Sequence, residues 1–252
     1  MCGRYAVTSA PEAIRALFGY PEQPNFPPRY NIAPTQPIAI VRLVDGKRQF
    51  ALVRWGLLPP WVKDPKNFSL LINARGESLT DKPAFSAAVK RRRCLVPADG
   101  FYEWKASNAG KQPYFVRAKS GGPIAFAGLW ETWMGPNGEE LETAAIVTTR
   151  ANRSLGAIHD RMPVIVPPDA FNLWLDCANV DVATAMTLVA PAPDAALEAY
   201  EVSTAVNRTA NDNPKLVERW SPAAEPKFEQ TPAQRKPLAR RAKKDDGQGV
   251  LF

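Results

Sequence analysis

The chain has one histidine, His159, and three cysteines, Cys2, Cys94 and Cys177, in 252 residues. No CxxC pair or Cys/His cluster is available, so neither a structural zinc nor any other resident metal is expected. An odd number of widely spaced cysteines does not make a disulfide framework and fits a reducing, cytoplasmic setting. No apolar run approaches the ~18 residues of a membrane span. The N-terminus lacks the apolar core of a signal peptide. The glycine-rich phosphate loops GxGxxG and GxxxxGK[ST] are absent, so no nucleotide cofactor is expected. Acid–base work by an imidazole near neutral pH would fall to His159 alone.

What is present suits a globular protein with an anionic partner. Apolar residues make up 45% of the chain and include seven Trp, enough for a real core. The net charge is +7, which favours a polyanion. From Ser221 onward there are seven basic and four acidic residues, so +3 lies there and +4 on the residues before it. The later segment is rich in Pro, Ala, Lys and Arg, a composition that favours disorder. With no earlier linker, the expected layout is one domain over 2–220 and a basic, Pro-rich, disordered tail over 221–252, in a monomer.

Ser9-Ala10-Pro11-Glu12 reads as a capping box opening a short helix that stops at Gly19. The six prolines in 21–37 predict an ordered loop. Turn-bounded β-branched or aromatic runs predict strands at 38–44, 49–54, 94–97, 114–118, 124–130, 144–149 and 163–166. Short helices are expected from Asp169 to Asp176 and from Val182 to Val189. Strands dominate and helices are peripheral, so the expected class is α+β with an antiparallel or mixed, barrel-like sheet.

Several residues could carry chemistry. Removal of Met1 would leave Cys2 with a free α-amine and a thiol on one residue, a 1,2-aminothiol that no internal cysteine can offer. The amine can condense with an aldehyde, and the thiol can then close a thiazolidine. Alternatively, the thiol can attack an acyl group with the amine as base. His159 stands beside the charged pair Asp160-Arg161 and precedes the apolar run Val164-Ile165-Val166, a place for proton transfer. Glu103 stands among aromatics in Phe101-Tyr102-Glu103-Trp104-Lys105, where burial would raise its pKa. Asn73 and Arg75 follow the apolar run 70–72; the amide can orient a sugar oxygen and the guanidinium can hold a phosphate. The stiff loop Trp55-Gly56-Leu57-Leu58-Pro59-Pro60-Trp61 suits stacking against bases.

Seven segments stand in order: Cys2-Gly3-Arg4-Tyr5, Tyr30-Asn31-Ile32-Ala33-Pro34, Trp55-Gly56-Leu57, Asn73-Ala74-Arg75-Gly76-Glu77, the run Arg93 to Trp104, His159-Asp160-Arg161-Met162-Pro163, and Val202-Ser203-Thr204-Ala205-Val206-Asn207. Together they resemble the SRAP family, which processes abasic sites in single-stranded DNA, over about residues 2–220. The resemblance implies a single β-rich α+β domain with a basic groove. It implies a thiazolidine between Cys2 and the ring-opened abasic aldehyde, with Asn73, Glu103 and His159 as further catalytic residues. Arg4, Arg75 and Arg161 would hold the DNA backbone, with Trp61 and Trp104 also contacting DNA. His159 would act as general acid on the sugar ring oxygen and Glu103 would shuttle protons. An AP lyase activity by β-elimination and peptidase-like removal of Met1 belong to the same expectation. The alternative is an N-terminal-nucleophile amidohydrolase or glutaminase, which needs an oxyanion hole and no DNA. At the C-terminus, Gln248-Gly249-Val250-Leu251-Phe252 resembles the peptide by which bacterial proteins dock on the replicative sliding clamp, with Gln248, Leu251 and Phe252 as anchors.

Overall fold

A computed structural model describes residues 2–107 and 110–221. In chain order the elements are β1 Tyr5–Val7, α1 Pro11–Phe18, β2 Arg29–Ile32, β3 Pro37–Val44, β4 Lys47–Trp55, β5 Asn73–Arg75, α2 Pro83–Arg91, β6 Arg93–Ala98, β7 Gly100–Ser107, β8 Gly110–Ala118, β9 Ile124–Met134 and β10 Glu140–Arg150. Then follow α3 Arg153–Gly156, β11 Arg161–Pro163, β12 Ile165–Val166, α4 Phe171–Leu175, α5 Val182–Met186 and β13 Leu197–Glu201. The compact unit ends at Trp220.

Five strands close on themselves. β4, β3, β6 and β9 pair antiparallel in that order, the β9–β10 hairpin continues the ring, and β10 returns to β4 in parallel. Closure removes the unpaired edges an open sheet would expose. β5 and β11 extend β10, and β12 extends β9. A second, antiparallel sheet has the order β13-β8-β7-β1-β2. The class is α+β with a mixed, barrel-like sheet, as the sequence predicts.

The two sheets share a core. Tyr5 of β1 is fully buried, and its ring meets Trp55 of β4 and Phe126 of β9 edge-on at 5.3 and 6.0 Å. Burying each such ring stabilises the fold by about 1.5–3 kcal/mol, and this one also anchors the chain three residues after Cys2. Arg93 is 1% exposed, and its guanidinium donates to the carbonyls of Val89, Trp174, Asp176 and Val180. It thereby ties α2 and α4 to the barrel. Gly56 ends β4 with a φ of +127°, and a Cβ there would lie 2.3 Å from the Leu70 side chain. Only glycine allows this exit, which leads the chain toward β5.

The expected strands are present, and several expectations need correction. No capping box opens α1: Ala10 is the N-cap, and Ser9 instead gives its Oγ and its amide to Asp99. The Pro-rich 21–37 segment contains β2 because β1 supplies an antiparallel partner. The run 163–166 is divided between β11 and β12, which pair with different strands. Pro168–Ala170 is a 3-10 turn before α4, and α5 ends at Met186. α2 was not expected, although Pro83 opens it and Phe85, Ala88 and Val89 form its buried face. The tail with its terminal peptide lies outside the described residues.

Candidate active site

β5 is three residues long and is held in place by parallel pairing with β10, Ile146 opposite Asn73. From that position the Asn73 Nδ2 donates to the Cys2 carbonyl at 2.9 Å, while its Oδ1 is buried with no partner among the described residues. Cys2 is fully buried, with Sγ 3.9 Å from the Arg4 carbonyl. Burial, and then the negative charge of Glu103, push its thiol well above the ordinary range. The sulfur therefore rests as a thiol at neutral pH.

Glu103 belongs to β7, opposite Tyr114 of β8, and is 4% exposed. Removal from water raises its carboxyl to about 7. Glu103 can thus both take and give a proton at working pH. Its Oε2 lies 3.9 Å from His159 Nε2. His159 follows α3, and its Nδ1 accepts from the Arg161 amide at 3.0 Å. An amide can only donate, so the hydrogen-bond network assigns the hydrogen of the neutral ring to Nε2. Partial burial lowers the imidazole pKa below its ordinary value. The neutral ring dominates near pH 7, and it offers Nε2–H toward Glu103.

Arg4, Glu103, Trp104, Lys111, His159 and Asn207 line one groove of about 440 Å³. Arg4 is placed by two bonds, to Asn31 Oδ1 at 2.7 Å and to the Val206 carbonyl at 2.8 Å, and lies 5.9 Å from the centre of the Trp104 ring. Trp104 Nε1 donates to Asn207 Oδ1 at 2.8 Å. The other arginines differ from each other. Arg75 is exposed, and its guanidinium has no partner among the described residues. Arg161 is 11% exposed and forms a two-point ion pair with Glu77 at 2.7 and 2.8 Å. Trp61 is not part of the groove: it is 58% exposed and meets Phe68 edge-on, beside a satellite cluster of Leu58, Val62 and Trp133.

The sequence alone did not mark Lys111, Asn207, Asn31 or Glu77 for a role. Asn31, Glu77 and Asn207 lie inside the seven ordered segments, which was the available signal; Lys111 had none. Gly76 completes the local arrangement: a Cβ there would lie 2.1 Å from Val189 Cγ1, so only glycine lets the chain after Arg75 press against the 182–189 segment. A second cavity, of about 230 Å³, is lined by Asp99, Arg117 and Tyr200 among others and holds none of the predicted site residues. Asp99 there accepts from the Thr8 and Ser9 amides and Arg117 is paired with Glu198, so of the two cavities only the first gathers predicted site residues. Among the described residues, no three His, Cys, Asp or Glu side chains converge as metal ligands do, and no helix is long and apolar enough to cross a membrane.

The chain is similar to several known proteins. The abasic site processing protein YoqW of Bacillus subtilis is 39% identical over 222 residues, covering 86% of this chain and 99% of its own. The abasic site processing protein HMCES of Xenopus tropicalis is 31% identical over 262 aligned residues, covering 86% of this chain and 78% of its own. A crystal structure of a protein from Bacteroides thetaiotaomicron superposes with a TM-score of 0.80 at 25% identity, covering 87% of this chain and all of the other. A phage-related protein from Bordetella bronchiseptica is 38% identical with a TM-score of 0.64, covering 80% and 94% of the two chains. The model of the SOS response associated peptidase (SRAP) family matches residues 1–209, and this chain belongs to that family.

Proposed function

We propose that this protein processes abasic sites in single-stranded DNA by forming a covalent thiazolidine through Cys2 after Met1 is removed. The observation that carries the reading is that Cys2, held by Asn73, lies within the field of Glu103, which with His159, Arg4 and Lys111 lines the groove. The relatives named for abasic site processing support the choice of substrate.

The abasic sugar is a closed hemiacetal that must open first. The Glu103 carboxylate takes the C1′ hydroxyl proton as the C1′–O4′ bond breaks. His159 Nε2–H stabilises the charge developing on O4′, a preorganised donor aimed at an oxyanion. The proton on Glu103 then passes to O4′. The family resemblance suggests His159 as general acid; its lowered pKa favours this hydrogen-bonding role near pH 7.

The α-amine of Cys2 has an ordinary pKa of about 7.7–8.0, so part of it is neutral near pH 7. It attacks the C1′ aldehyde and its ammonium proton moves to the new alkoxide. Glu103, reprotonated from solvent as its raised pKa allows, then protonates that hydroxyl, which leaves as water and gives the iminium. The Cys2 sulfur then adds to the imine carbon, and the S–H proton is taken up through Glu103, leaving a neutral ring nitrogen. The balance is one aldehyde and one aminothiol to one thiazolidine and one water. If a base instead removes a C2′ proton from the imine, the 3′ phosphate leaves and the same residues act as a lyase.

Single-stranded DNA is favoured because C1′ must reach a recessed N-terminus, and a base-paired site would first have to be unpaired at a cost of a few kcal/mol. Arg75, exposed beside the site, and Arg4 and Lys111 in the groove supply phosphate contacts, while Trp104 offers a stacking face. The tail peptide Gln248–Phe252 would tether the protein to a sliding clamp. The test is to give the purified protein an abasic oligonucleotide and, separately, glutamine. A heat-stable DNA adduct supports the proposal; ammonia from glutamine without an adduct would favour the amidohydrolase alternative.

A further inference from the structure

Glu77 does not line the groove, yet it is joined to the residues that do. Its two carboxylate oxygens receive the two Nη atoms of Arg161, at 2.7 and 2.8 Å. The same Arg161 Nη2 also donates to the Thr148 carbonyl at 2.8 Å. This two-point fork fixes direction as well as distance. Glu77 sits in the 3-10 turn Gly76–Ser78 that continues β5, so it is coupled to Asn73 and Arg75. Arg161 opens β11, two residues after His159. The ion pair therefore links the segment holding Asn73 to the segment holding His159.

Two groups compete for His159 Nδ1. The Arg161 amide, at 3.0 Å, donates to it and favours the ring with hydrogen on Nε2. Asp160 Oδ1 lies 3.1 Å away and would instead favour the ring with hydrogen on Nδ1. The outcome depends on where the 159–161 backbone is held, because the competing donor is a backbone amide. We propose that Glu77 is a positioning residue: by clamping Arg161 it fixes that backbone so that His159 presents Nε2–H to the groove. The inference rests on the crosslinking function proposed above for this site. The clamp also neutralises Arg161, so removing Glu77 releases a cation beside the DNA-binding face. Loss of Glu77 should then slow the chemistry without weakening DNA binding, a pair of effects that local unfolding would not give.

The test uses Glu77→Gln and Glu77→Ala in the full chain; the first keeps the side-chain shape if the second folds poorly. His159 is the chain's single histidine, so the ring nitrogen shifts in a 15N NMR spectrum report on it alone, without DNA. The expected result is a shift from the Nε2–H form toward a mixture in both variants. Single-turnover crosslinking to an abasic oligonucleotide should slow by at least ~tenfold, the low end of what misplaced acid–base and hydrogen-bonding groups cost. Affinity for an undamaged single strand should stay within about twofold or tighten. Unchanged ring nitrogens, a rate within about twofold of the parent chain, or rate and affinity falling together in both variants would each overturn the inference. If the parent chain itself forms no crosslink, the proposed function fails, and the NMR comparison alone then decides on the clamp.

Discussion

Glu103 should cost the protein stability in the pH range where it works. The carboxyl has an ordinary value of 4.5 and lies at about 7 here, with burial as the leading cause. Each pH unit between folded and unfolded values corresponds to about 1.4 kcal/mol, so the ionised form costs the fold about 3 kcal/mol above both values. The group is 4% exposed, so little of this is screened by solvent. Between pH 4.5 and about 7 the folded state keeps a proton that the unfolded chain has released. Stability must therefore fall as pH rises through that window. Glu103→Gln has no such proton and keeps an acceptor oxygen for the Trp104 amide that Glu103 now receives. Thermal melts at pH 4, 6 and 8 should show parent and variant nearly equal at pH 4. At pH 8 the variant should be higher by ~6–12 °C, using about 2–4 °C per kcal/mol for a domain of this size. The same variant should lose crosslinking. A gap that does not widen with pH, or a parent chain more stable at pH 8, would refute the reasoning.

Three other outcomes follow from the geometry. Arg75→Ala should reduce the slope of log affinity against log salt for single-stranded DNA by about 0.7, one phosphate contact; an unchanged slope, measured by fluorescence anisotropy, would place the contact elsewhere. Arg93→Met should destabilise the domain by at least about 3 kcal/mol in urea melts, because it leaves several buried carbonyls without a donor; a loss below about 1 kcal/mol would contradict its structural role. Deleting Leu251 and Phe252 should abolish binding to a sliding clamp in a pull-down while leaving crosslinking intact, and unchanged or absent binding in both forms would remove the tether.

Much of the barrel was legible because its strands carry their own signal. The runs at 38–44, 94–97 and 124–130 are β-branched or apolar, bounded by turns, and buried on both faces in places. The elements that form the site were harder to read. β5 is three residues long and has no pattern of its own; pairing with β10 makes it a strand. β2 lies in a proline-rich segment for the same reason. α2 was missed because Lys90, Arg91 and Arg92 obscure a buried face that includes only Phe85, Ala88 and Val89. The side chains proposed to be catalytic could be singled out by type, since Cys2, Glu103 and His159 are chemically conspicuous. Their supports were not conspicuous: Glu77, Asn31 and Asn207 act through partners that are 84, 27 and 103 residues distant in sequence. Local spacing carries no information about such pairs. The assignment of a hydrogen to Nε2 of His159 likewise depends on one backbone amide, which only the folded chain places.

The most direct measurement of the central claim is the intact mass of the full chain before and after incubation with an abasic single-stranded oligonucleotide. The account predicts a protein lacking Met1, then a heat-stable species equal to protein plus oligonucleotide less one water, and no such species from Cys2→Ala. Absence of the adduct from the parent chain, or a heat-stable adduct of equal yield from Cys2→Ala, would contradict it.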